Sequence, residues 1–360
     1  MFDVNFFRKT LPVKQDIISG ASALTPSEIE EHFEAQRNRA PYIFNIETTN
    51  ACNMSCLMCP RPKLMTRPVQ HMKQDLFESL VKQMTPHDSG ELELFRDLIA
   101  KEYGITADEA SENAFYFYTI AQSVVLHGYG EPPLDPKIVS RVQACTDRKI
   151  PTYFSCVPAN IRMDRFEQLF KAGLGTVKFA MESLDPEEQR RVRGENYDLE
   201  KAMQRIGQVI DFKKDHPEVD TRLVVTLVAM SDSDEAVEEH LRFIRFWADY
   251  PVLAYVKSQD NRWFYAEEDA KNKSHYLTQY CEFAWTSMSV MAGGEVLPCT
   301  QDFNAEMVMG NANEQSLEEI WNSERYRAFR HAHITGEGIE KYKCHGRCDL
   351  PKVHDRLGLL

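Results

Sequence analysis

The sequence predicts an α/β fold: a parallel sheet bent into a partial barrel, followed by a smaller C-terminal domain. Between residues 41 and 260, short β-rich runs alternate with longer amphipathic stretches, the pattern that repeated βα units leave in sequence. Six such units can be counted. The cysteines supply a further observation, because seven of the nine gather in two groups, one directly after the first β-rich run and one in the C-terminal part.

The candidate strands are Tyr42 to Thr48, Ser123 to His127, Thr152 to Cys156, Thr176 to Glu182, Arg222 to Ala229 and Val252 to Lys257. Candidate helices between them are Gln74 to Met84, Ile138 to Asp147, Met163 to Lys171, Leu199 to Lys214 and Asp234 to Trp247. In the last of these, Val237, Leu241, Ile244 and Ala248 recur at the spacing of one helix face. Residues 86–122 break the alternation and read as a helical insertion, through Glu91 to Tyr103 and Ala107 to Tyr116. Such an insertion is either a packing elaboration or a lid or partner surface. Residues 1–40 form an N-terminal extension in which Thr25 to Glu28 has the pattern of a capping box. The barrel is expected over residues 41–260 and the C-terminal domain over residues 261–360. Parallel βα architectures carry their chemistry at the carboxyl ends of the strands, so the loops after those strands are where a site is sought.

A hydrophobic content of 43% and a charged content of 27% are ordinary for a globular chain and argue against disordered or fibrous architectures. The longest apolar runs, such as Leu223 to Met230, are strand-sized and fall short of the roughly 20 residues that span a bilayer. Met1 to Lys14 has scattered charges and no continuous apolar run before a small-residue cleavage site, so a cytoplasmic location and no membrane partner are expected. The formal net charge of −13 repels phosphate backbones, which argues against nucleic acid as a partner. Nine cysteines under reducing conditions point to metal or redox chemistry in preference to disulfides.

Cys52-Asn-Met-Ser-Cys56-Leu-Met-Cys59 spaces three thiolates so that one loop can wrap a single corner of an iron–sulfur cubane. Three ligands for four irons leave one iron open to a substrate. A zinc site would need a fourth nearby ligand, for which His71 is the available candidate. This C-x3-C-x2-C loop, placed directly after a strand, resembles that of the radical S-adenosylmethionine (SAM) superfamily. The resemblance implies a partial (β/α)6 barrel, a 4Fe-4S cluster held by Cys52, Cys56 and Cys59, and SAM as its ligand. It also implies an electron donor of the flavodoxin or ferredoxin kind. Where the family often has an aromatic residue that packs the adenine, this chain has Met58, whose thioether can pack on a purine edge.

His127-Gly-Tyr-Gly-Glu-Pro-Pro133 follows the second candidate strand and looks like the family segment that binds the amino group of SAM. Gly128 and Gly130 would let the backbone approach a ligand, and Glu131 offers an anionic acceptor for an ammonium. The bland reading of such a segment is a turn. Met181-Glu-Ser-Leu-Asp-Pro186 and Arg193-Gly194 are similar to the strand-four segment of the family. By that likeness Glu182 or Ser183 faces SAM and Arg193 meets its carboxylate, while the alternative for Arg193 is a solvated helix-end charge, with Arg190 and Arg191 close in register.

Cys281, Cys299, Cys344 and Cys348 lie in the C-terminal part, Cys299 within the hairpin-like Gly294-Glu-Val-Leu-Pro-Cys299. Met309-Gly-Asn-Ala and the helix-like Leu317 to Arg330 intervene before Cys344-His-Gly-Arg-Cys348. The order resembles the SPASM and twitch auxiliary-cluster domains of the same superfamily, in particular the shorter twitch form with one cluster. Four protein ligands would saturate a second 4Fe-4S cluster and suit it to electron transfer or structure; a structural zinc is the alternative. Of the two remaining cysteines, Cys145 reads as a small buried hydrophobe, whereas Cys156 ends the third strand and borders the expected site. Cys156 is either an inert buried thiol or a hydrogen-atom donor.

The expected activity is radical oxidation of a small polar substrate, such as a sugar or cyclitol alcohol, with an auxiliary cluster taking the electron. Two alternatives are maturation of a ribosomally made peptide and epimerisation with Cys156 as hydrogen donor. In a non-catalytic alternative both metal sites are structural.

Overall fold

Six parallel strands stand side by side in chain order: β1 (Ile43–Ile46), β2 (Val124–Val125), β3 (Thr152–Cys156), β4 (Thr176–Met181), β5 (Arg222–Ala229) and β6 (Leu253–Ser258). The structure, a computed structural model, describes residues 1–231, 233–258 and 280–348. Parts of the expected C-terminal domain, residues 261–279 and 349–360, lie outside the described residues.

β5 shows why these segments become inner strands. Leu223, Val224, Val225, Thr226 and Leu227 are all buried, the continuous apolar run of a strand covered on both faces. One face meets the helices through Val225 and Leu227, while Val224 joins Val125, Tyr153, Phe115 and Tyr255 on the inner side of the sheet. The two-residue period puts Lys178, Ala180 and Glu182 of the β4 segment on that same inner side. Among the described residues β6 is an edge and pairs only with β5, so the six-strand set stays open as a partial barrel. The expected strands are all present, but β2 keeps only Val124–Val125 of the expected Ser123 to His127.

On its far edge β1 pairs in parallel with β7 (Met288–Val290), which turns back through β8 (Glu295–Leu297) and β9 (Gly310–Asn311). The cysteine-bearing C-terminal segment therefore extends the barrel sheet by hydrogen bonding. The helix expected from Leu317 to Arg330 is two helices, Leu317–Trp321 and Glu324–Thr335. The Ser323 side chain accepts from the Tyr326 N–H and starts the second helix afresh. The Thr25–Glu28 capping box forms and opens helix Pro26–Gln36.

One apolar face departs from expectation. On helix Asp234–Trp247, Val237 and Leu241 are 46% and 45% exposed, and the buried side chains are Phe243 and Trp247. The larger aromatic surfaces bury more area and set the rotation of the helix. The insertion forms helices Ser89–Tyr103 and Glu112–Phe115, then a π-helical turn over Tyr116–Ile120. Phe95 and Phe117 pack against Phe2 and Phe7 of the N-terminal segment, while Phe115 turns inward onto Tyr153 of β3.

Candidate functional site

The carboxyl ends of the strands open into one cavity. Cys52, Cys56, Met58 and Cys59 line it from the loop after β1. Gly128, Gly130 and Glu131 line it from the loop after β2, and Cys156 lines it at the end of β3. Glu182 and Arg193 complete the wall beyond β4. Ser183 lies outside the lining; its hydroxyl bonds Glu239 and accepts from the Asp185 N–H. His71 bridges to Thr49 and is also outside it. Cys145 is fully buried in the apolar core.

Two unanticipated residues hold the loops in place. Glu47, fully buried just past β1, receives both Nη atoms of Arg67 at 2.7 and 2.9 Å and accepts from the Tyr129 N–H at 3.0 Å. Arg67 also donates through Nε to the Phe303 carbonyl. One bidentate pair thus joins the loop after the three cysteines, the glycine segment and the C-terminal part. The glycines are explained by this close approach: a Cβ on Gly128 would meet the Glu47 side chain at 2.7–2.9 Å, and one on Gly130 would strike the Thr49 carbonyl. The sequence signal was faint, a glutamate directly after an apolar strand with its partner 20 residues further on.

Glu131 is enclosed. Its Oε1 accepts from the Val157 N–H at 2.8 Å, its own N–H donates to Ala51, and burial pushes its carboxyl up to about 7. Burial, reinforced by the Glu131 charge, pushes the Cys52 thiol up to about 11, so a metal binding there must displace a proton. Burial also raises the Cys156 thiol well above its ordinary value and keeps the S–H intact. Arg193 is buried and engaged with the protein, pairing with Glu182 and donating from Nη1 to Cys56 Sγ at 3.3 Å. Its Nε and Glu182 Oε2 remain buried without partners.

A second cavity adjoins the first through His127, Tyr129, Lys178 and Lys257. The insertion contributes Glu112, Phe115 and Tyr116 to its wall, and the C-terminal part contributes Phe283, Thr300 and Gln301. The insertion is thus both a packing element and a cavity wall. The Tyr129 hydroxyl donates to the Thr300 carbonyl at 2.7 Å, one residue from Cys299. His127 Nδ1 accepts from the Ser155 N–H at 3.2 Å, so the imidazole carries its single proton on Nε2. Lys178 and Lys257 escaped the sequence reading, although a lysine within a buried strand is itself a signal.

Cys299 and Cys344 are buried together with Met307. Burial, and then the charges of Cys281, Cys348 and Cys344, push the Cys299 thiol well above its usual value, so the other three cysteines lie within electrostatic reach of it.

An open parallel α/β sheet with three thiols around a cavity at its carboxyl end defines a class, enzymes that hold an iron–sulfur cluster beside a co-substrate. A family model described as the radical SAM superfamily matches residues 46–244, more than half of the chain, which therefore belongs to that superfamily. A second, described as the SPASM iron-sulfur cluster-binding domain, matches residues 281–349. A 37-residue stretch is 51% identical to the S-adenosyl-L-methionine-dependent 2-deoxy-scyllo-inosamine dehydrogenase of Niallia circulans, spanning 10% of this chain and 15% of that enzyme. The fold is similar to that of BtrN in complex with AdoMet and 2-DOIA, at 17% identity and TM-score 0.50, covering 86% of this chain and 93% of that one. It is also similar to Streptococcus suis SuiB bound to precursor peptide SuiA, at 16% identity and TM-score 0.52, covering 89% and 79%.

Membership brings with it a SAM-binding 4Fe-4S cluster, SAM and auxiliary iron–sulfur ligation. The residues present suit these groups: a three-thiol loop, a buried carboxylate for an ammonium, and three cysteines within electrostatic reach of Cys299. Among the described residues no helix is long and apolar enough to cross a membrane.

Proposed function

We propose that the chain is a radical SAM dehydrogenase that oxidises an alcohol carbon of a small polar substrate, a sugar, cyclitol or similar molecule, to a ketone. The observation that carries this reading is the position of the second cavity. It meets the cysteine-lined cavity at His127 and Lys178 and extends to Thr300 and Gln301, directly after Cys299. A substrate held there lies between the two cysteine groups. The stretch shared with the inosamine dehydrogenase supports the same chemistry.

In this proposal Cys52, Cys56 and Cys59 hold the SAM-binding cluster, and Cys281, Cys299, Cys344 and Cys348 hold the auxiliary one. When bound, the first cluster and SAM supply a 5′-deoxyadenosyl radical able to take a hydrogen atom from carbon. Glu131 receives the ammonium of SAM, and Met58 packs its adenine. His127, protonated at Nε2, donates to a substrate oxygen. A carbinol that loses a hydrogen atom becomes a ketone by giving up its hydroxyl proton and one electron, and the four-cysteine site is the acceptor this chain offers. Arg193 and Glu182 brace the first site through Cys56, and a flavodoxin or ferredoxin supplies the initial electron.

Anaerobic incubation of the reconstituted protein with dithionite, SAM and candidate polyols tests the proposal. The expected result is 5′-deoxyadenosine together with a product lighter by two hydrogens. A product with the mass of the substrate would establish epimerisation instead, and turnover confined to peptide substrates would establish maturation.

A further inference from the structure

We propose that metal at the four C-terminal cysteines tightens the binding of SAM in the cysteine-lined cavity. The segment from Cys299 to Asn304 carries the effect, with Tyr129 and Arg67 as its positioning residues. The inference rests on the assignment of Cys281, Cys299, Cys344 and Cys348 to the auxiliary cluster made above, and it is independent of the reaction catalysed.

The segment that brings in Cys299 is bonded to the loops after β1 and β2. The Tyr129 hydroxyl donates to the Thr300 carbonyl at 2.7 Å, and Arg67 Nε donates to the Phe303 carbonyl at 2.7 Å. The Asn304 side chain accepts from the Thr66 N–H at 2.9 Å and donates to the Leu64 carbonyl at 3.2 Å. The Tyr129 ring packs edge-on against Phe303, with ring centres 5.9 Å apart.

Two of these contacts converge on one buried carboxylate. Glu47 accepts the Tyr129 N–H and both Nη atoms of Arg67. A charge-assisted fork is directional, so Tyr129 and Arg67 are held in fixed relation to each other. Tyr129 stands two residues before Glu131, the carboxylate proposed for the SAM ammonium. The Glu131 N–H in turn donates to Ala51, the residue before Cys52. A displacement of the Cys299 segment therefore reaches the ammonium acceptor and the three-cysteine loop through hydrogen bonds.

On its other side the segment meets the surroundings of Cys344. Cys299 is buried with Met307 and Cys344. Asp302 accepts from the Glu306 and Met307 N–H groups at 3.0 and 2.7 Å, and Glu306 pairs with Lys343, the neighbour of Cys344. The Lys343 ammonium also stands 5.4 Å from the Phe303 ring centre. A metal that ties Cys299 to Cys344 fixes this turn, and a turn already fixed needs no further ordering when SAM binds against the glycine segment. By linkage, bound SAM favours the metal by the same factor.

The test reads SAM affinity by calorimetry on anaerobically reconstituted protein, with iron counted and circular dichroism recorded on the same samples. The combined Cys344→Ala, Cys348→Ala variant should fall from about eight to about four irons per chain and bind SAM about tenfold more weakly. Cys348→Ala alone, at a half-buried position, makes the same comparison with less disturbance of the fold. Tyr129→Phe deletes the bond to Thr300 and keeps the ring, so it should shrink that ratio to about twofold, and Arg67→Lys should shrink it in part. If Tyr129 only held the fold, its loss would weaken SAM binding equally with and without the auxiliary metal and leave the ratio at its wild-type value. A ratio so retained in Tyr129→Phe and Arg67→Lys overturns the route. About four irons with unchanged SAM affinity in the cysteine variants overturns the coupling and leaves the ligand assignment standing. About eight irons in those variants overturns the ligand assignment and the proposal with it.

Discussion

Cys52, Cys56 and Cys59 come from one stretch of eight residues, whereas Cys281, Cys299, Cys344 and Cys348 are gathered from three separate stretches of chain. The first group hangs from the end of one strand and faces a cavity with charged walls. In the second, Cys299 and Cys344 are buried together with Met307, while Cys281 and Cys348 are half-buried. A local loop would leave one side of a bound metal open to a co-substrate, while ligands drawn from several directions would enclose theirs. The open group suits chemistry on a bound molecule, and the closed one suits the passage of electrons.

The most severe way to test this division is to delete the open group. The combined Cys52→Ala, Cys56→Ala, Cys59→Ala variant should lose all cleavage of SAM, while iron falls from about eight to about four per chain because the closed group keeps its cubane. Cleavage that persists would overturn the assignment of the first group. Iron near four with equimolar zinc in the wild type would overturn that of the second.

Deleting the closed group should have a different signature. Without Cys344 and Cys348 the substrate radical loses its electron acceptor, so 5′-deoxyadenosine should still form but oxidised product should not. Equal loss of both products would show that the C-terminal cysteines serve only to hold the fold, a real alternative given that β7 is paired to β1.

A smaller effect is expected within the open site. Glu131→Ala should weaken SAM binding by about 10- to 100-fold, the cost of one charge-assisted hydrogen bond in a confined place. The pH dependence follows from burial, which raises the Glu131 carboxyl to about 7. Below that pH the ligand-free site holds a neutral acid, and an ammonium requires the carboxylate. Affinity should therefore climb as pH rises toward 7 and fall below it by up to about tenfold per unit, a slope that Glu131→Gln should flatten. A slope unchanged in that variant would assign the titration to another group.

The same contrast explains what could be read in advance. The three-cysteine loop and the glycine segment are legible because neighbours in sequence are neighbours in space. The six strands are legible because buried parallel strands need continuous apolar runs. Glu47 with Arg67, and Lys178 with its aromatic neighbours, become meaningful only when distant segments meet. The face of helix Asp234–Trp247 was misjudged because regular spacing marks a stripe without saying which stripe the core will accept. Phe243 and Trp247 win that competition by area.

The mildest effect is expected at Cys156, the one free thiol that lines the open site without belonging to the three-cysteine loop. An epimerase must return a hydrogen atom to the opposite face of its substrate radical, and a thiol S–H is a suitable donor. Cys156 has the required form, since burial keeps it protonated, and it sits at the end of β3 beside the charges of Glu131 and Arg193. A dehydrogenase never returns that hydrogen and instead needs an electron acceptor, the role proposed for the closed group. Cys156→Ala should therefore leave oxidised product forming at close to the wild-type rate. Because the thiol is buried, its loss should lower stability modestly, by about 1 kcal/mol for a small cavity, visible in thermal unfolding and not in turnover. Should Cys156→Ala abolish normal product while 5′-deoxyadenosine continues to form, and the wild-type product match the substrate in mass, the electron never reaches the closed group and the enzyme is an epimerase.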